Sequence, residues 1–438
     1  MDKSKAIIVG LFLAAVGIAI YWWKGFLFLG AYITLLIVLE IGSYVLIRKL
    51  KKVFPWLITP EDELPALSEE GLRKFIPFGY DPELGWVRKP NTEKDEFGPS
   101  VGGGGHSKVV FHINERGARR NPKHEQLPSF ISCYGDSFTI ARQVEDAETW
   151  CWYLSELTHS NVLNFGVGNY GLDQAFLRLQ REFPKNKTKI VIMGVVPSTI
   201  VRILDVWKHY NEYGNTFGFK PRFDLKDGEL VLIPNIIDSE EKYRHYQEYI
   251  ESIRTNDYFY VRKFKKEMIQ FPYSFSILSN PTRNIPLLWL VWWHQIMKKE
   301  DAKSVPYPTA MKVIMKVNLT LRCSLFTKDA YATTLFVKLS EEFKRYVQEQ
   351  KAVPVFVLLP QKDDILLVRQ KGKYYEKVMG AIGRQMNVVD PTEELLAADN
   401  LDALYSDANN YGGHYSKQGN QFVARVIYKK MKEMKIIP

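Results

Sequence analysis

The chain has 438 residues, 46% of them hydrophobic and 25% charged, with a formal net charge of +10. That is ordinary globular composition, which excludes collagen, coiled coil and disorder as the main state; three cysteines are also too few for a disulfide framework. Residues 1–60 hold seven Lys/Arg and two Asp/Glu, so half of the net charge sits there, and no dense basic stripe remains elsewhere for nucleic acid.

Ala6 to Trp23 carry no charge, and Phe26 to Ile47 carry only Glu40. Both stretches have the length of a membrane span and are apolar on all sides, so residues 1–54 are expected to form a transmembrane helical hairpin turning at Lys24-Gly25. No small-residue cleavage site follows the first stretch, as a signal peptide would require. Six basic residues flank the two ends (Lys3, Lys5, Arg48, Lys49, Lys51, Lys52) against Lys24 at the tip, which places both ends, and the rest of the chain, on the cytoplasmic side. The basic cluster suits anionic headgroups. Glu40 within the second span needs shielding, and hints at helix–helix contact or a membrane-protein partner.

Residues 55–129 read as a linker and lead-in, with a loop at Gly102–Gly105. From residue 130, five short apolar runs end in turn residues and alternate with helical stretches: Phe130–Tyr134, Asn161–Phe165, Lys189–Met193, Pro354–Leu359 and Met386–Val389. That pattern predicts an α/β fold with a parallel sheet between helices. The third and fourth runs lie too far apart for a simple crossover, so an insertion over about 205–340 is expected. Within it, two strands should flank Asp227-Gly228. Pro286 to His294 bring three tryptophans together and fit either an interfacial helix or a buried one.

Two motifs carry chemistry. Gly135-Asp-Ser137-Phe-Thr139 ends the first strand, where a serine on a turn into a helix stands at the ligand-binding rim of an open sheet, in the favourable field of the helix start. Near the C-terminus, Gly413-His414-Tyr415-Ser416 and Gly419-Asn420 place a histidine in a glycine-rich loop before the last helix. A serine needs such a base to attack at neutral pH. Asp136 is expected to hold its turn through backbone N–H groups, Asp173 and Gln174 to cap the helix after the second strand, and Cys133 to be core. Gly166-X-Gly168-X-X-Gly171 has the form of a dinucleotide fingerprint, but the family resemblance of the surrounding motifs makes that match coincidental. No metal or cofactor is expected, as neither ligand spacing nor a phosphate-binding motif occurs.

These motifs resemble the SGNH, or GDSL-type, hydrolase superfamily, as do Tyr80–Trp86, Ile113–Arg119, Thr149-Trp150 and Asn164–Gln174 before and after the first. The resemblance spans about residues 80–436 and implies a flavodoxin-like three-layer α/β/α domain over 130–438. It implies Ser137 as nucleophile and His414 as base. The oxyanion hole would draw on the Ser137 N–H, on Gly168 or Asn169 in the second block, and on Thr199 or Ser198 in the third, where the family has an asparagine. The acid usually three residues before the histidine is Tyr411 here; Asp407 is the nearest carboxylate. The expected activity is that of a membrane-anchored serine esterase, lipase or O-acyl-transferring enzyme, with the bilayer and an acylated lipid or saccharide as partners. The alternative is a catalytically weak or inactive subunit of a membrane complex.

Overall fold

The computed structural model describes residues 3–97, 108–297, 307–406 and 413–438. Gly102–Gly105, Asp407 and Tyr411 lie outside the described residues. The chain divides into two compact units, one of residues 1–66, 209–216 and 258–317, the other of residues 67–208, 217–257 and 318–438.

The smaller unit begins with α1 (Lys3–Lys24) and α2 (Phe26–Val53). Gly25 joins them at φ +82°, which a residue with a Cβ rarely adopts. The turn folds α1 back on α2, so that Gly17 faces Leu29 and Tyr32. α2 is long and apolar enough to cross a membrane, and most of its aliphatic side chains are exposed. Past its end the chain is not a free linker: Phe54 and Leu57 are buried, and Lys51 Nζ donates to Asp62 Oδ2 (2.6 Å) and to the Leu57 carbonyl (2.6 Å). Insertion helices α5 (Tyr273–Ser279) and α6 (Pro281–Met297) complete this unit. Leu287, Leu288 and Val291 of α6 pack with Ile47 and Leu50 of α2. The tryptophans lie on the opposite side, with Trp289 55% exposed, so α6 is half-buried rather than a core helix.

The larger unit is built on β1 (Ile131–Gly135), β2 (Val162–Asn164), β3 (Ile190–Val195), β4 (Val353–Leu358) and β5 (Asn387–Val389). All are parallel, in the order β5-β4-β3-β1-β2, the flavodoxin-like arrangement. Each expected strand appears within two residues. Helices α3 (Trp150–Thr158) and α8 (Lys417–Glu433) pack together on one face. On the other lie α4 (Leu172–Glu182) and α7 (Ala330–Glu349). The strands are therefore buried on both sides. Ile131 and Cys133 point into the cluster with Trp150, Leu154, Val423 and Ile427, while Phe356 meets Phe336 of α7 across the sheet. The Asp227-Gly228 hairpin pairs Arg222–Lys226 with Glu229–Ile233, with positive φ at both turn residues.

Candidate active site

β1 ends at Gly135, whose φ is +153° and where a Cβ would come within 1.8 Å of the Gly194 carbonyl oxygen. Only glycine lets β1 and β3 approach this closely at the sheet rim. Asp136 is buried behind the turn as expected: Oδ1 accepts from Phe138 N–H (2.8 Å), and Oδ2 from Val196 N–H (3.1 Å) and Arg202 Nη1 (3.2 Å). Burial raises the pKa of its carboxyl, and Arg202 and these N–H groups oppose that shift.

Ser137 is 4% exposed. The segment after it is not a helix. Residues 137–143 form successive turns, with positive φ at Ala141 and Gln143, and the next α-helix starts only at Trp150. The turn that carries Ser137 does not itself open a helix, so the field expected from a helix start at this turn is not supplied by it. The turns are held instead by side chains that cap their carbonyls. Trp150 Nε1 donates to Phe138 O (2.9 Å) and Asn164 Nδ2 to Thr139 O (2.7 Å). Arg119, buried to 1% side-chain exposure, donates to Ile140 O (2.6 Å), Ala141 O (2.7 Å) and Val144 O (2.5 Å), and to Asp146 Oδ1 (3.1 Å). Burial lowers the pKa of this guanidinium, and Asp146 offsets the shift. The lead-in motif Ile113–Arg119 thus supplies a clamp for the serine turn.

The same turn meets His414. The imidazole lies on the Phe138 ring, with centroids 4.7 Å apart. Gln143 Oε1 accepts from the His414 backbone N–H (3.2 Å) and Ser406 Oγ (2.8 Å) and lies 3.0 Å from His414 Nδ1. A backbone N–H can only donate, so the amide oxygen must face it, and Nδ1 must carry a proton to meet that oxygen. Nε2 then keeps its lone pair and is the basic nitrogen.

The rest of the C-terminal motif is scaffolding. The Tyr405 and Tyr415 hydroxyls both donate to Pro360 O beyond β4 (2.8 and 3.1 Å). Ser416 caps α8 by accepting from Gly419 N–H (3.1 Å). A Cβ on Gly419 would sit 1.9 Å from Leu404 O. Asn420 accepts from Trp150 N–H (3.0 Å) and donates to Tyr415 O (3.0 Å), tying the histidine loop to the helix beyond the serine turn.

In the second block, Asn169 has φ +67°, the left-handed conformation in which asparagine replaces glycine at least cost. Trp86 Nε1 holds the adjacent Gly168 carbonyl (2.9 Å). The backbone N–H groups of Ser137, Gly168 and Asn169 donate to no backbone carbonyl among the described residues. Thr199 differs from expectation: it is 0% exposed, and its hydroxyl is buried without a partner among the described residues. Asp173 and Gln174 do not cap α4 as expected: they lie inside its first turn, and the N-cap is Gly171 with no side-chain hydrogen bond. Asp173 is instead a buried anchor. It accepts from Gln174 N–H (2.8 Å) and from fully buried Lys220 of the insertion (2.6 Å), while Gln174 Nε2 donates to Leu84 O (2.7 Å).

Gln143 and Arg119 are the site residues that the sequence did not single out as such. For Gln143 no local signal exists, since its partner lies 271 positions away.

No family model matches the chain, and no curated protein does. Solved structures similar to it include a lipolytic protein of the G-D-S-L family from Desulfitobacterium hafniense, at 13% identity and TM-score 0.29, covering 68% of this chain and 98% of that one. A GDSL-like lipase from Bacteroides thetaiotaomicron matches at 8% identity and TM-score 0.30, over 70% and 88%. A catalytic mutant of an acetylxylan esterase from Geobacillus stearothermophilus matches at 10% identity and TM-score 0.32, over 71% and 96%.

Proposed function

We propose that the chain is a membrane-anchored serine esterase of SGNH type that forms an acyl-enzyme and releases the acyl group to water or to a second hydroxyl. The observation that carries this reading is the imidazole of His414 held over the Ser137 turn with its tautomer set by Gln143. In the proposed cycle His414 Nε2 takes the Ser137 proton as Oγ attacks the ester carbonyl. The oxyanion accepts from the N–H groups of Ser137 and of Gly168 or Asn169. Collapse expels the alcohol, which takes the proton back from His414, and water or an acceptor hydroxyl then repeats the sequence on the acyl-enzyme. Thr199 supplies no donor in this scheme. Gln143 orients the imidazole in this scheme, and Asp407, the carboxylate expected to do so, lies outside the described residues.

The substrate class follows from the anchor. If both α1 and α2 cross the bilayer, the basic flanks keep the larger unit at the cytoplasmic face, beside acylated lipids or lipid-linked saccharides. The burial of Thr199 favours a second reading, a fold-keeping subunit that joins a membrane complex, because one missing oxyanion donor costs about 2.7–4 kcal/mol of transition-state stabilisation. Turnover of a short-chain chromogenic ester by the purified chain separates the two. Loss of that turnover in Ser137→Ala, with folding intact, supports the esterase; equal rates in both proteins sink it.

A further inference from the structure

Glu40 lies near the middle of α2, eight residues before Arg48 and so about 12 Å along the helix from the basic cluster. A lone carboxylate at that depth in a bilayer would be expensive. It is not alone. Its oxygens accept from Tyr273 N–H (2.6 Å), Ser274 N–H (3.0 Å) and the Ser274 hydroxyl, at the start of α5. The segment from Phe271 to Trp293 that meets it contains one charged residue, Arg283. Arg283 is 2% exposed and lies 3.5 Å from buried Glu267.

Several polar groups of this segment, at and beside its irregular start, are paired within the protein. Gln270 N–H donates to Ser276 Oγ (3.1 Å), and Ser276 Oγ donates to Met268 O (3.1 Å). Asn284 Nδ2 donates to the α5 carbonyls of Ser276 (3.2 Å) and Ile277 (3.4 Å). Its outer face is apolar, with Phe271 68%, Leu278 63%, Ile285 48% and Trp289 55% exposed. Water-facing helices do not carry such a run, whereas hydrocarbon tolerates non-helical backbone only when protein satisfies it.

We infer that Phe271–Trp293 is a re-entrant membrane element. It dips beside α2 to the depth of Glu40 at Phe271–Ser274 and returns through α6, with Trp289, Trp292 and Trp293 in lipid. This rests on the proposed crossing of α2. The occupant of the outer face is the bilayer, because that face continues the exposed apolar surface of the helix on which α6 packs. Glu40 is the docking residue: it neutralises the start of α5 while α5 shields its charge.

Probes on one introduced cysteine in the full chain, in a Cys323→Ala background that leaves only the buried Cys133 and Cys151, reconstituted into nanodiscs, test this. Phe271→Cys, Ile37→Cys on α2 and Lys429→Cys on α8 each carry a fluorophore, read with nitroxide-labelled lipids and with aqueous iodide. The Phe271 and Ile37 probes should each lose about half their emission to nitroxide lipids and little to iodide, and the Lys429 probe the reverse. Glu40→Leu should move the Phe271 probe towards iodide and leave the Ile37 probe unchanged, while Glu40→Gln, which keeps an acceptor, should shift it less. Iodide quenching at Phe271 with lipid quenching at Ile37 overturns the re-entrant element alone. Iodide quenching at Ile37 overturns both it and the anchor.

Discussion

Gln143 occupies the place behind the imidazole where a carboxylate would be expected, and an amide there has a measurable consequence. It fixes the tautomer without stabilising the imidazolium as a negative charge would. Gln143→Glu should therefore raise the pKa of His414. Because the base works neutral, the acidic limb of the kcat/KM profile should move up by about one pH unit, and titrating ester turnover reads this directly. Gln143→Ala should lower kcat at least about 100-fold, as loss of the correct tautomer does in triads. Asp407→Asn should cost less than about tenfold if Gln143 does the orienting; a larger loss returns that role to the acid. At Asn169 the backbone N–H is what the proposed mechanism uses, so Asn169→Gly, which keeps positive φ, should stay within about threefold of the parent rate.

Among the elements, the turn after β1 depends most on partners outside itself. It has no helical ladder, so its carbonyls are satisfied by Trp150, Asn164 and Arg119. Arg119→Met keeps the volume of the side chain but leaves three carbonyls and Asp146 short of a buried partner. Removing one member of such a buried charged network costs about 3–5 kcal/mol, so the thermal midpoint should fall well below that of Ser137→Ala, and ester turnover with it. Calorimetry of the two variants side by side distinguishes this from a purely catalytic effect. The strands themselves were legible from apolar runs because β1 to β4 are buried on both faces. The turn was not, because its conformation is imposed by side chains from residues 119, 150 and 164.

Across the whole molecule, stability should depend on pH through the smaller unit. His209 is 1% exposed, and its Nδ1 accepts from Gly214 N–H (3.3 Å) while Nε2 donates to Asp62 O (2.7 Å). Only the neutral ring fits both bonds, and burial, against the pull of Asp62, lowers its pKa to about 4. The unfolded chain has an ordinary histidine near 6.5, so the contribution is fully present above that value and is lost as pH falls from about 6.5 towards 4, at about 3 kcal/mol in all. Hydrogen exchange around Asp62 should accelerate over that range in the parent chain and much less in His209→Gln, whose amide can keep both bonds.

The sequence by itself determined the five strands, the long stretch between the third and fourth, and two N-terminal apolar helices, and it pointed to Ser137 and His414, whose turn and loop meet. These rest on local rules: an apolar run of strand length, a glycine where the backbone must approach another strand, uncharged stretches long enough for a helix. Only the tertiary structure decided what surrounds them. Gln143 reaches His414 across 271 positions, Glu40 meets Ser274 across 234, and the three tryptophans face outward because Leu287, Leu288 and Val291 take the packed side of their helix. Contacts at such separation are set by how the layers pack, and neither periodicity nor spacing along the chain records which side chains that packing brings together.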